Sequence, residues 1–207
     1  MCGIVGAVCD RDVYGILIEG LKRLEYRGYD SAGLSLLNNG NINTQKTIGK
    51  VVDLENLFGE SLPSGTVGIA HTRWATHGVP SSINSHPHTS GPISVVHNGI
   101  IENHNELRKE ITEQGIKFSS NTDSEVIAHL INLNVCTSNS LREAVTKALL
   151  KLDGAYGICV ISKDDPGKII GARSGSPLVV GLGIGENFMA SDQMALRQVT
   201  DRFVYLE

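Results

Sequence analysis

Cysteine occupies the second position, directly after Met1, and is followed by Gly3, Ile4, Val5 and Gly6. Removal of Met1 makes Cys2 the first residue, carrying both a thiol and a free α-amine. Their ordinary pKa values are about 8.5 and about 7.7. One chain end can then supply a nucleophile and a base that is substantially deprotonated near neutral pH. A second reading fits the same residues: free cysteine is a common core residue, and Cys2 can simply open a buried strand.

Three further groups have side chains suited to a polar substrate. Arg73, Thr76 and His77 fall in seven residues after a predicted strand. The arginine fork suits a carboxylate and threonine adds a small donor; a structural arginine, with Trp74 covering the core, fits as well. Asn98-Gly99 pairs a side-chain donor with a backbone N–H that a ligand can approach closely, the need of an oxygen gaining charge in acyl transfer. An ordinary Asn-Gly turn is the other reading. Asp123 opens a predicted helix, where it can hold a substrate ammonium or stabilise the helix terminus. Arg27 and Asp30 flank Gly28-Tyr29, bracing a catalytic backbone or only each other. His86 and His88 would share a strand face but for Pro87 between them, and the HExxH, cysteine-rich zinc and EF-hand spacings are absent. Residues 181–186 lack the last glycine of GxGxxG, and P-loop spacing is missing. Neither a metal nor a nucleotide is expected.

Layered elements must position these groups. Strands are predicted over 2–8, 33–37, 67–71 and 93–96, with a turn at Asn38-Asn39-Gly40-Asn41 and a loop over 79–92. Val13, Ile16, Leu17, Leu21 and Leu24 form a helical stripe within 12–25. Further helices are expected over 105–114, 124–133 and 141–152, the last two with capping boxes Thr122/Glu125 and Ser140/Glu143. Short strands follow over 157–162, 168–172, 178–180, 188–190 and 203–206. Strands at both ends around a run of helices fit layered α and β structure, and no linker divides 1–207.

The chain has 207 residues, enough for a substantial core. Its net charge of −4 argues against general nucleic-acid binding. Four cysteines without a CxxC point to a reducing compartment. With no basic leader and no run of 18 apolar residues, neither export nor a membrane span is expected. The chain stops two residues after Tyr205 without a polar tail, which leads to the expectation of a longer parent polypeptide.

Taken together, Cys2-Gly3-Ile4-Val5-Gly6, the turn 27–33, His71-Thr72-Arg73-Trp74-Ala75-Thr76-His77-Gly78, the stretch 97–103 and Thr122-Asp123 resemble the class II glutamine amidotransferases, which are amino-terminal-nucleophile hydrolases. Leu24-Glu25-Tyr26-Arg27-Gly28-Tyr29-Asp30-Ser31-Ala32-Gly33, Ser174-Gly175-Ser176-Pro177-Leu178 and Ala190-Ser191-Asp192-Gln193 extend the likeness over nearly the whole chain, and bring it closest to a sugar-aminating branch of that family. The resemblance implies an α+β, four-layer αββα fold with two stacked antiparallel sheets. It implies Cys2 as nucleophile with its own α-amine as base, Asn98 and Gly99 as the oxyanion hole, and Arg27 orienting the catalytic terminus. Arg73, Thr76, His77, Asp123 and Gly99 would contact L-glutamine, and Trp74 would belong to the loop closing over it. No cofactor is implied. In this branch a carboxy-terminal isomerase portion of the same polypeptide, absent from this chain, uses the ammonia to make glucosamine 6-phosphate from fructose 6-phosphate, in the cytoplasm and as a homo-oligomer. An ammonia donor to another acceptor, and a catalytically silent glutamine-sensing module, are the competing readings.

Overall fold

The computed structural model describes residues 2–74 and 79–207. Its elements are β1 (Gly3–Val8), α1 (Tyr14–Lys22), β2 (Ser31–Asn38), β3 (Asn41–Ile48), α2 (Val51–Asn56), β4 (Val67–Arg73), β5 (His88–Ser90), β6 (Ile93–Ile101), α3 (His104–Glu113), α4 (Glu125–Val135), α5 (Leu141–Leu149), β7 (Gly154–Ser162), β8 (Ile170–Ser174), β9 (Val179–Leu182), β10 (Asn187–Ala190) and β11 (Phe203–Tyr205). Two antiparallel sheets result, ordered β11-β9-β10-β1-β4-β2-β3 and β5-β6-β7-β8.

Strand alternation sorts side chains into layers. In the larger sheet Val5, Ala7, Leu34, Leu36 and Ala70 pack with α1 residues Ile16, Leu17 and Leu21. The opposite face sends Ile4, Val67 and Ile69 against Val96, Cys159 and Ile161 of the smaller sheet. Ser35 and Ser94 bridge the sheets through a buried hydroxyl contact of 2.8 Å. On the far side, Val95, Ile158 and Val160 pack with Val126, Ile127, Ile131 and Val145 of α4 and α5. The order helix, sheet, sheet, helix is the expected four-layer arrangement. Among the described residues, no helix is long and apolar enough to cross a membrane.

Several boundaries differ from the sequence reading. The first helix ends at Lys22, and a separate 3-10 turn follows at Glu25–Arg27. β3 and α2 had no sequence prediction, β5 forms within the stretch 79–92 expected as loop, and β6 runs through Ile101 rather than stopping at Val96. The Thr122/Glu125 capping box does not form. The Glu125 carboxylate instead accepts from the backbone and hydroxyls of Ser119 and Ser120, and Thr122 Oγ1 contacts His88 Nε2 at 3.0 Å. The α5 cap forms by half: Ser140 accepts from Glu143 N–H, while the Glu143 carboxylate turns to Asn139 N–H.

Candidate active site

The register between β1 and β4 places the chain start beside the end of β4. Gly3 pairs with Thr72, so Cys2 lies next to Arg73 and Trp74. Trp74 N–H donates to Cys2 Sγ at 3.2 Å. Cys2 is half-buried, and burial pushes its thiol above the ordinary range, partly countered by the Trp74 hydrogen bond. Arg73 is the last residue of β4 and is buried.

The smaller sheet supplies the facing wall. His97, Asn98 and Gly99 lie within β6, not in a turn after it. Asn98 Nδ2 donates to the Cys2 carbonyl at 3.1 Å, joining the two sheets. Gly99 has φ +133°, and a Cβ there would stand 1.9 Å from the Ala155 carbonyl oxygen. Only glycine fits that close approach between β6 and β7.

Asp123 is buried just before α4, but its carboxylate does not cap that helix: Oδ2 accepts from Ile101 N–H at 2.9 Å. Ser124 Oγ lies 2.8 Å from His97 Nδ1 and donates to Asp123 Oδ1 at 3.4 Å. Arg27 reaches Asp192, its Nη2 lying 2.5 Å from Oδ2, and its Nε donates to the Tyr26 hydroxyl at 3.1 Å.

Cys2, Arg27, Arg73, Trp74, Asn98, Gly99 and Asp123 thus line one cavity of about 400 Å³. Thr76 and His77, also expected at the site, lie outside the described residues. Residues given no role by sequence reasoning also enter. Ser176 and Pro177 complete a wall, and Asp192 holds Arg27. All three fall in stretches, 174–178 and 190–193, that signalled kinship without indicating a task. Beneath the wall lie His71 and His86, their rings stacked at 4.1 Å, with His88 at 4.6 Å from His86. Burial pushes His71 and His88 down to about 3 and His97 to about 4, and holds His86 well below its ordinary value. These rings are therefore neutral at physiological pH. Among the described residues, no group of three or more His, Cys, Asp or Glu side chains is arranged to hold a metal.

A thiol, a carboxamide, a guanidinium and a carboxylate around one small cavity can bind a zwitterion and attack its carbonyl. Comparison with known proteins agrees. A family model described as a glutamine amidotransferase domain matches residues 71–198. Glutamine–fructose-6-phosphate aminotransferase (isomerizing) of Pseudomonas putida is 59% identical over the whole of this chain and 34% of its own length. The enzyme of that name from Vibrio vulnificus is 58% identical, again over 100% of this chain and 34% of the relative. Among solved structures, the glutamine phosphoribosylpyrophosphate amidotransferase of Bacillus subtilis aligns with a TM-score of 0.83 at 26% identity, covering 99% of this chain and 44% of that one. The chain belongs to the class II glutamine amidotransferases and has their amino-terminal-nucleophile hydrolase fold. It spans about a third of the length of the curated relatives it matches.

Proposed function

We propose that this chain hydrolyses L-glutamine to L-glutamate and ammonia through a γ-glutamyl thioester on Cys2. The observation that carries the reading is the meeting of Cys2 with Asn98 and Gly99 in a cavity whose walls also hold Arg73 and Asp123. With Met1 removed, the Cys2 α-amine takes the thiol proton, directly or through water. The thiolate then attacks the side-chain amide carbon, and the carbonyl electron pair moves onto oxygen. Asn98 Nδ2–H and Gly99 N–H stabilise that oxyanion. The protonated amine passes its proton to the amide nitrogen, the C–N bond breaks and ammonia leaves. Water, deprotonated by the same amine, cleaves the thioester to glutamate and the free thiol.

Arg73 and Asp123 hold the substrate carboxylate and ammonium, together with Thr76 and His77. Fixing both charges sets the distant amide at the thiol, a gain in position as well as electrostatics. Trp74, which lines the cavity, belongs to the loop that closes over glutamine, and Arg27, anchored by Asp192, orients the catalytic terminus.

The same reading treats 1–207 as one glutaminase domain, supported by the pairing of β1 with β10 from opposite ends of the chain. It assigns the chain to a longer polypeptide whose carboxy-terminal isomerase portion uses the ammonia to convert fructose 6-phosphate to glucosamine 6-phosphate. Support comes from the names of the relatives and from the 34% of their length that is matched. We place that homo-oligomeric enzyme in the cytoplasm, in keeping with four free cysteines.

The test pairs intact mass with ammonia release from glutamine, alongside Cys2→Ala. A mass lacking Met1 and ammonia production abolished by the substitution are expected. Ammonia production that survives Cys2→Ala would overturn the assignment.

A further inference from the structure

His71 touches neither the thiol nor the charged walls of the cavity, yet its contacts determine how Asn98 is turned. Its Nε2 lies 3.0 Å from the His97 carbonyl oxygen and 2.9 Å from Asn98 Oδ1. A backbone carbonyl only accepts, so Nε2 carries the proton and His71 is the Nε2–H tautomer. The other end of the carboxamide is fixed independently, because Nδ2 faces the Cys2 carbonyl, also an acceptor only. Two acceptor-only oxygens therefore impose one orientation on the pair. A carboxamide nitrogen has two N–H groups. One goes to the Cys2 carbonyl, and the second is left for a ligand in the cavity that Asn98 lines.

The ring of His71 is itself clamped. It is fully buried and stacks on His86 with 23° between planes. His86 is set in turn by His97 N–H, which donates to its Nδ1 at 3.3 Å. The His86 backbone reaches this depth because residue 33 is glycine: a Cβ there would stand 2.2 Å from the His86 carbonyl oxygen. Glycine in the middle of β2 thus serves the histidine stack.

We infer that His71 is a positioning residue for the oxyanion-stabilising carboxamide, its Nε2–H holding Asn98 Oδ1 so that Nδ2 is presented to the reacting carbonyl. The inference rests on the glutaminase reading and adds a residue that does not touch substrate. Loss of the contact leaves the carboxamide held only through Nδ2 at the Cys2 carbonyl, so its plane swings about that bond and the second N–H loses its aim at the developing oxyanion. The consequence belongs to the transition state, not to glutamine binding.

Three variants test it. His71→Phe keeps ring volume and stacking but has no donor. His71→Asn carries an amide that stops short at the position of Nδ1. His71→Gln places an amide nitrogen where Nε2 stood. Expected for Phe and Asn is a fall in kcat of about 10- to 100-fold, with KM for glutamine and affinity for L-glutamate within about threefold. Affinity for glutamate γ-semialdehyde, which forms a tetrahedral adduct with the thiol, falls by the same factor as kcat/KM. Gln restores kcat to within about threefold of the parent. A merely structural role would lower stability in all three without separating Gln from Asn and would weaken glutamate binding in parallel with turnover; either pattern overturns the inference.

Long-range ¹H–¹⁵N correlation of the His71 ring reads the tautomer without reference to activity. Nε2–H is expected from pH 8 to about pH 5, and an Nδ1–H tautomer overturns the inference directly. Should the parent chain, free of Met1, bind neither glutamine nor the aldehyde, the glutaminase reading fails. An active parent with an equally active His71→Phe variant sinks the positioning role alone.

Discussion

Arg27 and Asp192, 165 positions apart in the chain, meet through Nη2 and Oδ2 at 2.5 Å, and the Tyr26 hydroxyl donates to the same carboxylate oxygen at 3.0 Å. The ion pair ties the turn after α1 to the loop after β10, on either side of β1 and hence of Cys2. Its side chains are only 11% and 22% exposed, so removing one partner leaves the other poorly solvated. Asp192→Ala is expected to lower unfolding free energy by about 2 kcal/mol, between the values typical of surface and buried pairs. Because Arg27 lines the cavity, kcat/KM for glutamine should fall about tenfold. Urea unfolding and ammonia release measure the two effects. An unchanged urea midpoint would mean that solvent screens the pair.

Gly99→Ala tests the backbone donor. The new methyl would have to displace the Ala155 carbonyl from 1.9 Å, at φ +133°, within the pairing of Gly99 with Tyr156. We expect a stability loss of about 2–4 kcal/mol. Ammonia release should drop more than about 100-fold, because the N–H moves with the strand. A variant that unfolds like the parent and retains turnover would remove Gly99 from the oxyanion hole.

How these residues read in sequence depended on whether polarity was taken as the end of a strand. β6 was expected to stop at Val96 because His97-Asn98-Gly99 has turn composition; the polar side chains instead fill the site while the backbone continues pairing with β7. β3 was missed for a related reason. The turn signal at Asn39-Gly40 is a hairpin, but the strand after it is an edge strand whose residues Asn41, Asn43 and Gln45 alternate outward and leave little apolar signal. Cys2, Arg73, Asn98 and Asp123 were legible as candidates because their side-chain chemistry is specific, and Gly99 because glycine lets a backbone N–H be approached closely. His71 was not: a histidine within a strand gives no sign of the carbonyl that fixes its tautomer, or of the asparagine that it holds. Asp192 likewise depends on a contact across most of the chain. The Thr122/Glu125 spacing suggested a cap, but the N–H groups of Ser119 and of buried Ser120 offered the carboxylate better partners.

Asp123→Asn separates binding from turnover. An amide oxygen can still accept from Ile101 N–H, which the carboxylate now does at 2.9 Å, so the fold before α4 should hold. What disappears is the charge facing the substrate ammonium. KM for glutamine should rise about 10- to 100-fold, with kcat changed no more than about threefold. Steady-state kinetics with a thermal melt decides it. An unchanged KM would exclude Asp123 as the ammonium partner.

Acid should unfold this protein through its buried histidines. Burial pushes His71 and His88 down to about 3 and His97 to about 4, and His86 also lies well below its ordinary value. In the unfolded chain each takes up a proton near pH 6.5. Between there and about pH 4 the unfolded state binds more protons, so stability rises with pH across that window. Their contribution is complete above about pH 6.5 and is lost as pH falls, at about 1.4 kcal/mol per pH unit for each ring that stays neutral. Glu125 acts at lower pH. Burial raises its carboxyl, but hydrogen bonds from His129, Ser119 and Ser120 outweigh this and hold it below the ordinary range, so its contribution fades only as those bonds lose the carboxylate. Urea midpoints at pH 7.5, 6.5, 5.5 and 4.5 should change little over the first step and fall steeply over the next two. A flat profile from pH 6.5 to 4.5 would mean that the native histidines accept protons in place, and the tautomers that join His71, Asn98 and Cys2 would then have to be reassigned.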